Sequence, residues 1–193
     1  MFNRLSKGIV ERCCKEKNSN EIELYIFGIN QGLNMLLNIA TALFIGILFG
    51  EVFRAFLFMF SYIPLRSYAG GYHAKTPIRC YLLSLIMLII VLIGMKYLPV
   101  SDLVYYAILA TAVLIVFLLS PVEDKNKPLD ETEHKVYKKR AVFIASLEFF
   151  IGIVFKLIGL DNLFVAVSYS FAALSFMLVA GKIKNCFEVN KIL

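Results

Sequence analysis

Histidine is nearly absent from this sequence. Its 193 residues hold two, His73 and His134. Cysteine is scarce as well, with four residues and no Cys-x-x-Cys pair. No group of His and Cys falls at metal-ligand spacing, so a zinc site is not expected. No motif calls for any other metal or for a cofactor. The first twenty residues, MFNRLSKGIVERCCKEKNSN, lack an uninterrupted apolar run and a small-residue cleavage site. They therefore do not read as a secretory signal. No basic stripe is interleaved with aromatics, so the net charge of +6 does not point to nucleic acid. No internal repeat and no Gly/Ser linker divides the chain, and residues 1–193 read as a single domain.

What the sequence has in abundance is apolar character, at 60% hydrophobic residues and a mean hydropathy of +0.75. A water-soluble domain is closer to half apolar. Six apolar stretches are legible, at 24–50, 52–65, 81–98, 103–120, 141–160 and 163–181. A helix needs about 20 apolar residues to cross a ~30 Å hydrocarbon core. The expectation is an all-α, polytopic membrane protein with about six transmembrane helices. The second stretch, interrupted by Arg54, is expected to be short or re-entrant. Residues 1–20 place Phe2, Leu5, Ile9 and Cys13 at helical spacing between basic residues, which predicts an amphipathic helix on the membrane surface.

Seventeen of the 20 Lys and Arg fall in four segments: the N-terminus, 66–80, 121–140 and the C-terminus. With six crossings all four lie on one side. The positive-inside rule assigns that side to the cytoplasm, with both termini there. The chain is thus expected to be a multi-pass protein of the cell membrane. Cys13, Cys14, Cys80 and Cys186 would sit at or near that reducing face, without disulfides.

The gap from Arg66 to Tyr81, RSYAGGYHAKTPIRCY, concentrates chemistry in a short polar segment. Pro77 suits the first position of a helix, and Thr76 can cap it. Cys80 then lies near the first turn, with His73 on the preceding loop. A helix N-terminus and the charges of Arg66, Lys75 and Arg79 favour a thiolate. An imidazole beside a thiol takes its proton and later protonates a leaving amine. Gly70 and Gly71 let backbone come close and expose N–H groups of the kind an oxyanion hole requires. The bland alternatives stand beside this: a packing cysteine, a solvated histidine and a Gly-Gly turn.

The run RSYAGGYHAKTPIRC resembles the signature of the accessory gene regulator protein B (AgrB) family of bacterial membrane endopeptidases. Arg66, Gly70, Gly71, His73, Ala74 and Cys80 are the matching positions, and SPVEDKNKPLDETE (120–133) resembles that family's loop after the fourth apolar stretch. The resemblance implies a cysteine endopeptidase with Cys80 as nucleophile and His73 as general base and acid. Its implied partner is an AgrD-like signalling propeptide with an amphipathic leader and an acidic tail. Tail cleavage through an acyl-enzyme thioester would cyclise the peptide to a thiolactone or lactone signal for quorum sensing. The basic cytoplasmic residues, Lys138, Lys139 and Arg140 among them, would attract the acidic tail and anionic lipid. A homodimer is allowed by this reading.

Polar residues within the spans suggest a competing class. Asn30, Asn34 and Asn38 form one helical stripe, with Gln31 beside it, and Glu148 lies mid-span. They could line the pathway of a small transporter or channel, or simply bond helix to helix. Glu51 and Arg54 are expected to pair locally. His134 reads as solvated. For a third residue orienting His73, Glu123 and Ser120 are only candidates.

Overall fold

The computed structural model describes residues 3–13, 19–74, 76–98, 100–123 and 129–189. Among them the elements are seven helices: α1 (Asn3–Cys13), α2 (Ser19–Phe49), α3 (Val52–Ala69), α4 (Pro77–Tyr97), α5 (Asp102–Leu119), α6 (Glu131–Leu157) and α7 (Asp161–Val189). Four are long and apolar enough to cross a membrane by length and composition, namely α4, α5, Glu21–Phe49 of α2 and Asp161–Phe187 of α7. The protein is an all-α polytopic membrane protein.

Local chemistry sets the helix ends. Thr76 caps α4, accepting from the Arg79 N–H at 3.4 Å, and Pro77 opens the helix. Asp130 and Glu133 form a reciprocal capping box at the start of α6, with Glu133 N–H donating to Asp130 Oδ1 at 2.6 Å. The α2–α3 turn passes through Gly50 at φ 68°, a left-handed conformation that glycine adopts without strain.

Of the two alternatives for the second stretch, α3 is the short helix and not the re-entrant one. It runs unbroken for 18 residues, through Pro64 and past Arg66, or about 27 Å at 1.5 Å per residue. Its limited apolarity has a physical reason. α3 packs against α2, α6 and α7, and Ala55, Phe58, Leu65 and Ala69 are fully buried against protein. A helix facing protein has less need of apolar side chains than one facing lipid. The same holds for α6, whose Glu148 accepts a hydrogen bond from the Ser61 hydroxyl of α3.

α7 is the central helix. Its apolar window is 61% buried, against 17–28% for the other three candidate spans. Around it the helices alternate in direction. One end of the bundle gathers the end of α2, the starts of α3, α5 and α7, and the ends of α4 and α6. There Arg54 pairs with Glu51 and donates to Met95 O and Asn162 Oδ1, while Lys156 pairs with Asp102 and Asp161. Lys96 completes the group by donating to Phe49 O at 2.7 Å. These three cations are the ones left out of the four basic segments, and each has an acidic group or carbonyl beside it.

α1 uses two faces. It packs on α2 through the fully buried Ser6 and Val10, and Ser6 Oγ donates to Asn30 Oδ1 at 2.9 Å. Leu5 and Ile9, on the expected apolar stripe, face away from the protein, as a helix lying on a membrane surface requires. Phe2 lies outside the described residues.

At the opposite end, α7 passes beneath the connection between α3 and α4. A Cβ built on Gly181 would stand 2.7 Å from both Gly71 C and Tyr72 N. Those atoms are backbone and cannot swing aside. Gly181→Ala should therefore cost about 1–3 kcal/mol by overpacking. Gly32→Ala in α2 is the control, because nothing lies within 4 Å of its Cβ position. Replacing that helical glycine should stabilise by about 0.5–1 kcal/mol. Thermal unfolding of the purified protein in detergent reads both, and equal effects at the two positions would refute the packing argument.

Candidate active site

The stretch that the sequence marks as a 66–80 gap is narrower in the fold. Arg66 to Ala69 belong to α3, the connecting segment is Gly70 to Thr76, and α4 begins at Pro77. Lys75 lies outside the described residues. The second half of the 121–140 segment is likewise helix, since α6 starts at Glu131.

Backbone bonds fix the near half of this connection. Val122 N–H donates to Ala69 O at 2.9 Å, and Gly71 N–H donates to Val122 O at 3.2 Å. Together they make a one-residue parallel bridge between Gly70 and Val122. Tyr72 N–H then donates to Met177 O of α7 at 2.8 Å. Both glycines are required here. Gly70 and Gly71 have φ of 72° and 123°, where a Cβ is strained. A Cβ on Gly70 would lie 2.2 Å from Val122 O, and one on Gly71 would lie 2.7 Å from Arg66 Nη1. The close backbone approach expected of this pair is present. Their amides are engaged: Gly70 N–H bonds Arg66 O, and Gly71 N–H bonds Val122 O.

Arg66 also braces the loop. Its Nη1 donates to Gly70 O and its Nη2 to Tyr72 O, the latter at 2.5 Å. The planar fork closes the loop from inside, satisfying two carbonyls of the connection beyond α3. The buried Tyr62 phenol, one turn earlier on α3, lies within electrostatic range of both this guanidinium and Cys80. Tyr62 was not legible as a site residue, because in sequence it is one more aromatic in an apolar run. The only available signal was its four-residue spacing from Arg66.

Cys80 is a free, half-buried thiol in the first turn of α4. Its N–H bonds Thr76 O at 3.0 Å, and its carbonyl accepts from Ser84 Oγ at 3.1 Å. His73 is exposed on the connection, one residue beyond the anchored Tyr72, and its carbonyl accepts from Lys184 Nζ at 2.8 Å. Arg79 is exposed and lines a groove of about 330 Å³ with Leu82, Leu83 and Ile86 of α4 and with Tyr72 and Ala74. The groove is open, with an apolar floor and a cation at one end.

Other expected residues fall elsewhere. Lys138, Lys139 and Arg140 are exposed on the first half of α6, where Arg140 sits over the Tyr68 ring at 5.4 Å. Tyr68 is on the last turn of α3, so this basic face shares the loop end of the bundle. Within the asparagine stripe, Asn30 bonds α1, and Asn38 donates to Asn34 O at 2.9 Å. Of these two bonds only that of Asn30 joins two helices; that of Asn38 stays within α2. Glu51 and Arg54 pair at 3.3 Å, as their spacing predicts.

The two candidates for orienting His73 are directed to other groups. Ser120 Oγ donates to Val116 O at 2.6 Å. The Glu123 carboxylate accepts from Leu129 N–H at 3.4 Å and lies 4.0 Å from His134 Nε2. His134 therefore stands on α6 beside an acid, not in an open loop.

Comparison with known proteins bears on the whole chain. Residues 3–179 match the family model described as accessory gene regulator B. A protein named "Putative AgrB-like protein" from Clostridium perfringens (strain SM101 / Type A) is 30% identical over 163 residues, covering 79% of this chain and 76% of its own. The "Accessory gene regulator protein B" of Staphylococcus carnosus (strain TM300) is 28% identical over 109 residues, covering 54% and 57%. No solved structure matches. A match running from α1 into the second half of α7 takes in every helix that builds this loop, and this chain belongs to the accessory gene regulator B family.

Proposed function

We propose that, within the accessory gene regulator quorum-sensing system, this protein is a membrane cysteine endopeptidase. Its substrate is an AgrD-like propeptide, from which it removes the C-terminal tail while closing the remainder into a ring. The observation that carries the reading is the arrangement at the loop end. A half-buried thiol on a helix's first turn stands close in sequence to a histidine whose loop is bonded to three other segments.

The Cys80 sulfur attacks the scissile carbonyl, and its proton passes to His73. The tetrahedral intermediate collapses as His73 protonates the departing amine, and the C–N bond breaks. A thioester to Cys80 remains. A thiol or hydroxyl within the bound peptide then attacks that thioester and passes its proton to His73. The bond to Cys80 breaks and the thiol is restored, giving a thiolactone or a lactone. Restricting water at the membrane boundary favours ring closure over hydrolysis. Gly70 and Gly71 serve by close backbone approach. For Gly71 N–H to stabilise an oxyanion, it would first have to leave Val122 O. Arg79 and the α6 cations Lys138, Lys139 and Arg140 face the acidic tail and anionic lipid. The reading places the loop end and both termini in the cytoplasm.

Three outcomes test it. Cys80→Ala abolishes propeptide cleavage while membrane insertion persists, and wild-type protein quenched early carries a hydroxylamine-sensitive thioester on Cys80. His73→Ala lowers cleavage by about 10²–10⁴-fold and adds little to Cys80→Ala, because the two act as a unit. Complete processing by Cys80→Ala removes the mechanism.

Orientation is tested separately. Cysteines engineered into 121–140 should resist impermeant maleimide in intact cells and react once cells are opened. Ready labelling from outside reverses the assignment.

Neutralising Lys138, Lys139 and Arg140 together should weaken propeptide binding and flatten its salt dependence, since exposed charges are screened over roughly 8 Å at physiological ionic strength. Binding that is indifferent to salt and to the substitutions would leave those cations a topological role only.

A further inference from the structure

The last turns of α7 extend beyond the residues that the family model matches, and they reach both sides of the candidate site. Lys184 Nζ donates to His73 O at 2.8 Å and stands 5.4 Å from the centre of the Tyr72 ring. Its neighbour Asn185 donates through Nδ2 to Glu123 O at 2.8 Å. One turn earlier Gly181 gives Gly71 and Tyr72 room to lie against the helix, and Met177 O holds the Tyr72 amide. A single helical edge thus carries contacts to two separate connections, one after α3 and one after α5.

We propose that Lys184 is a positioning residue for the acyl-transfer reaction, holding the His73 backbone in place through its carbonyl. The proposal rests on the Cys80–His73 reading above. The residue before His73, Tyr72, has its amide and carbonyl both bonded. His73 is the next residue, and between it and the Thr76 cap Lys75 is not described. The Lys184 ammonium therefore supplies the described side-chain bond that fixes the backbone at His73 itself. A cation over the Tyr72 face adds attraction to the same loop. Asn185 ties the same turn of α7 to Glu123, so the helix end and the Gly70–Val122 bridge support one another. The imidazole needs such support because it must meet the thiol within about 3 Å to exchange a proton. Loss of the contact would leave the fold intact and widen the range of imidazole positions.

The test reads the thiol directly and needs no peptide substrate. In a background with Cys13→Ser, Cys14→Ser and Cys186→Ser, the rate of Cys80 alkylation by iodoacetamide is measured at pH 7 in detergent, beside thermal unfolding. His73→Ala is expected to slow alkylation by about tenfold or more, because the base that takes the thiol proton is gone. Lys184→Met should slow it in the same direction with unfolding unchanged, and Lys184→Arg should restore most of the rate. The double variant His73→Ala/Lys184→Met should be no slower than His73→Ala alone, since Lys184 acts through His73. Lys182→Met, an exposed cation on the same helix, should have no effect.

If His73→Ala leaves the rate unchanged, the Cys80–His73 reading falls and the proposal with it. If His73→Ala slows alkylation but Lys184→Met does not, only the positioning role is overturned. Equal slowing by Lys182→Met would mean a general potential, and a lowered unfolding temperature without rescue by Lys184→Arg would mean a structural contact. Either result also overturns the proposal.

Discussion

The hydrogen bond from Tyr72 N–H to Met177 O is the constraint around which the loop end is organised. An irregular segment at the boundary of a membrane bundle must find partners inside the protein for its backbone groups, since lipid offers none. Here the segment crosses the central helix, and a carbonyl of that helix accepts its amide. Every neighbouring feature accommodates that crossing. Gly181 clears the space, Gly71 adopts the conformation, and Val122 holds the amide before it. Removing the bond would free the segment on which His73 rides, while leaving the packed helices largely as they are.

Arg66 is the complementary device. Beyond the last turn of α3, the carbonyls of the connection have no helical donor. A lysine would satisfy one of the loop carbonyls as a point charge, whereas a guanidinium presents parallel donors in a rigid fork. Gly70 O and Tyr72 O receive that fork together. The same residue lies within electrostatic range of Tyr62, and Tyr62 within that of the thiol. A charge that reads in sequence as local positive potential works as an internal brace as well. On the peptidase reading, part of its effect on chemistry is exerted through loop shape.

Much of the architecture was legible because it depends on local chemistry. The helix start at Thr76–Pro77, the early position of Cys80, the glycine turn and the Glu51–Arg54 pair all follow from residues a few positions apart. The end of α3 was not, because the apolar run stops before Arg66 while the helix continues to Ala69 against α7. The apolar stripe of α1 was legible, with Leu5 and Ile9 turned away from the protein, but its second face was not, because Ser6 is buried by Asn30 on another helix. The centrality of α7 was invisible, since six stretches of similar apolarity carry no label for which one is surrounded. Lys184, Asn185 and Tyr62 were missed because a contact more than 60 or 100 residues away leaves no mark in local spacing, and Tyr62 is one aromatic among many.

The two ends of the bundle differ in how they treat charge, and this bears on substrate. At one end Arg54, Lys96 and Lys156 are each matched by an acid or a carbonyl. Their fields are largely cancelled beyond about a Debye length of ~8 Å. At the loop end the basic face of α6 is exposed, with Arg140 over an aromatic ring rather than against a carboxylate. A cation over a ring keeps its charge available to a partner, since the ring's quadrupole attracts without neutralising. An acidic peptide segment approaching the protein therefore feels net attraction at the loop end alone. On the peptidase reading, that asymmetry delivers the tail of a propeptide to the end of the bundle where Cys80 and His73 stand, while its apolar leader remains free to lie along the membrane surface.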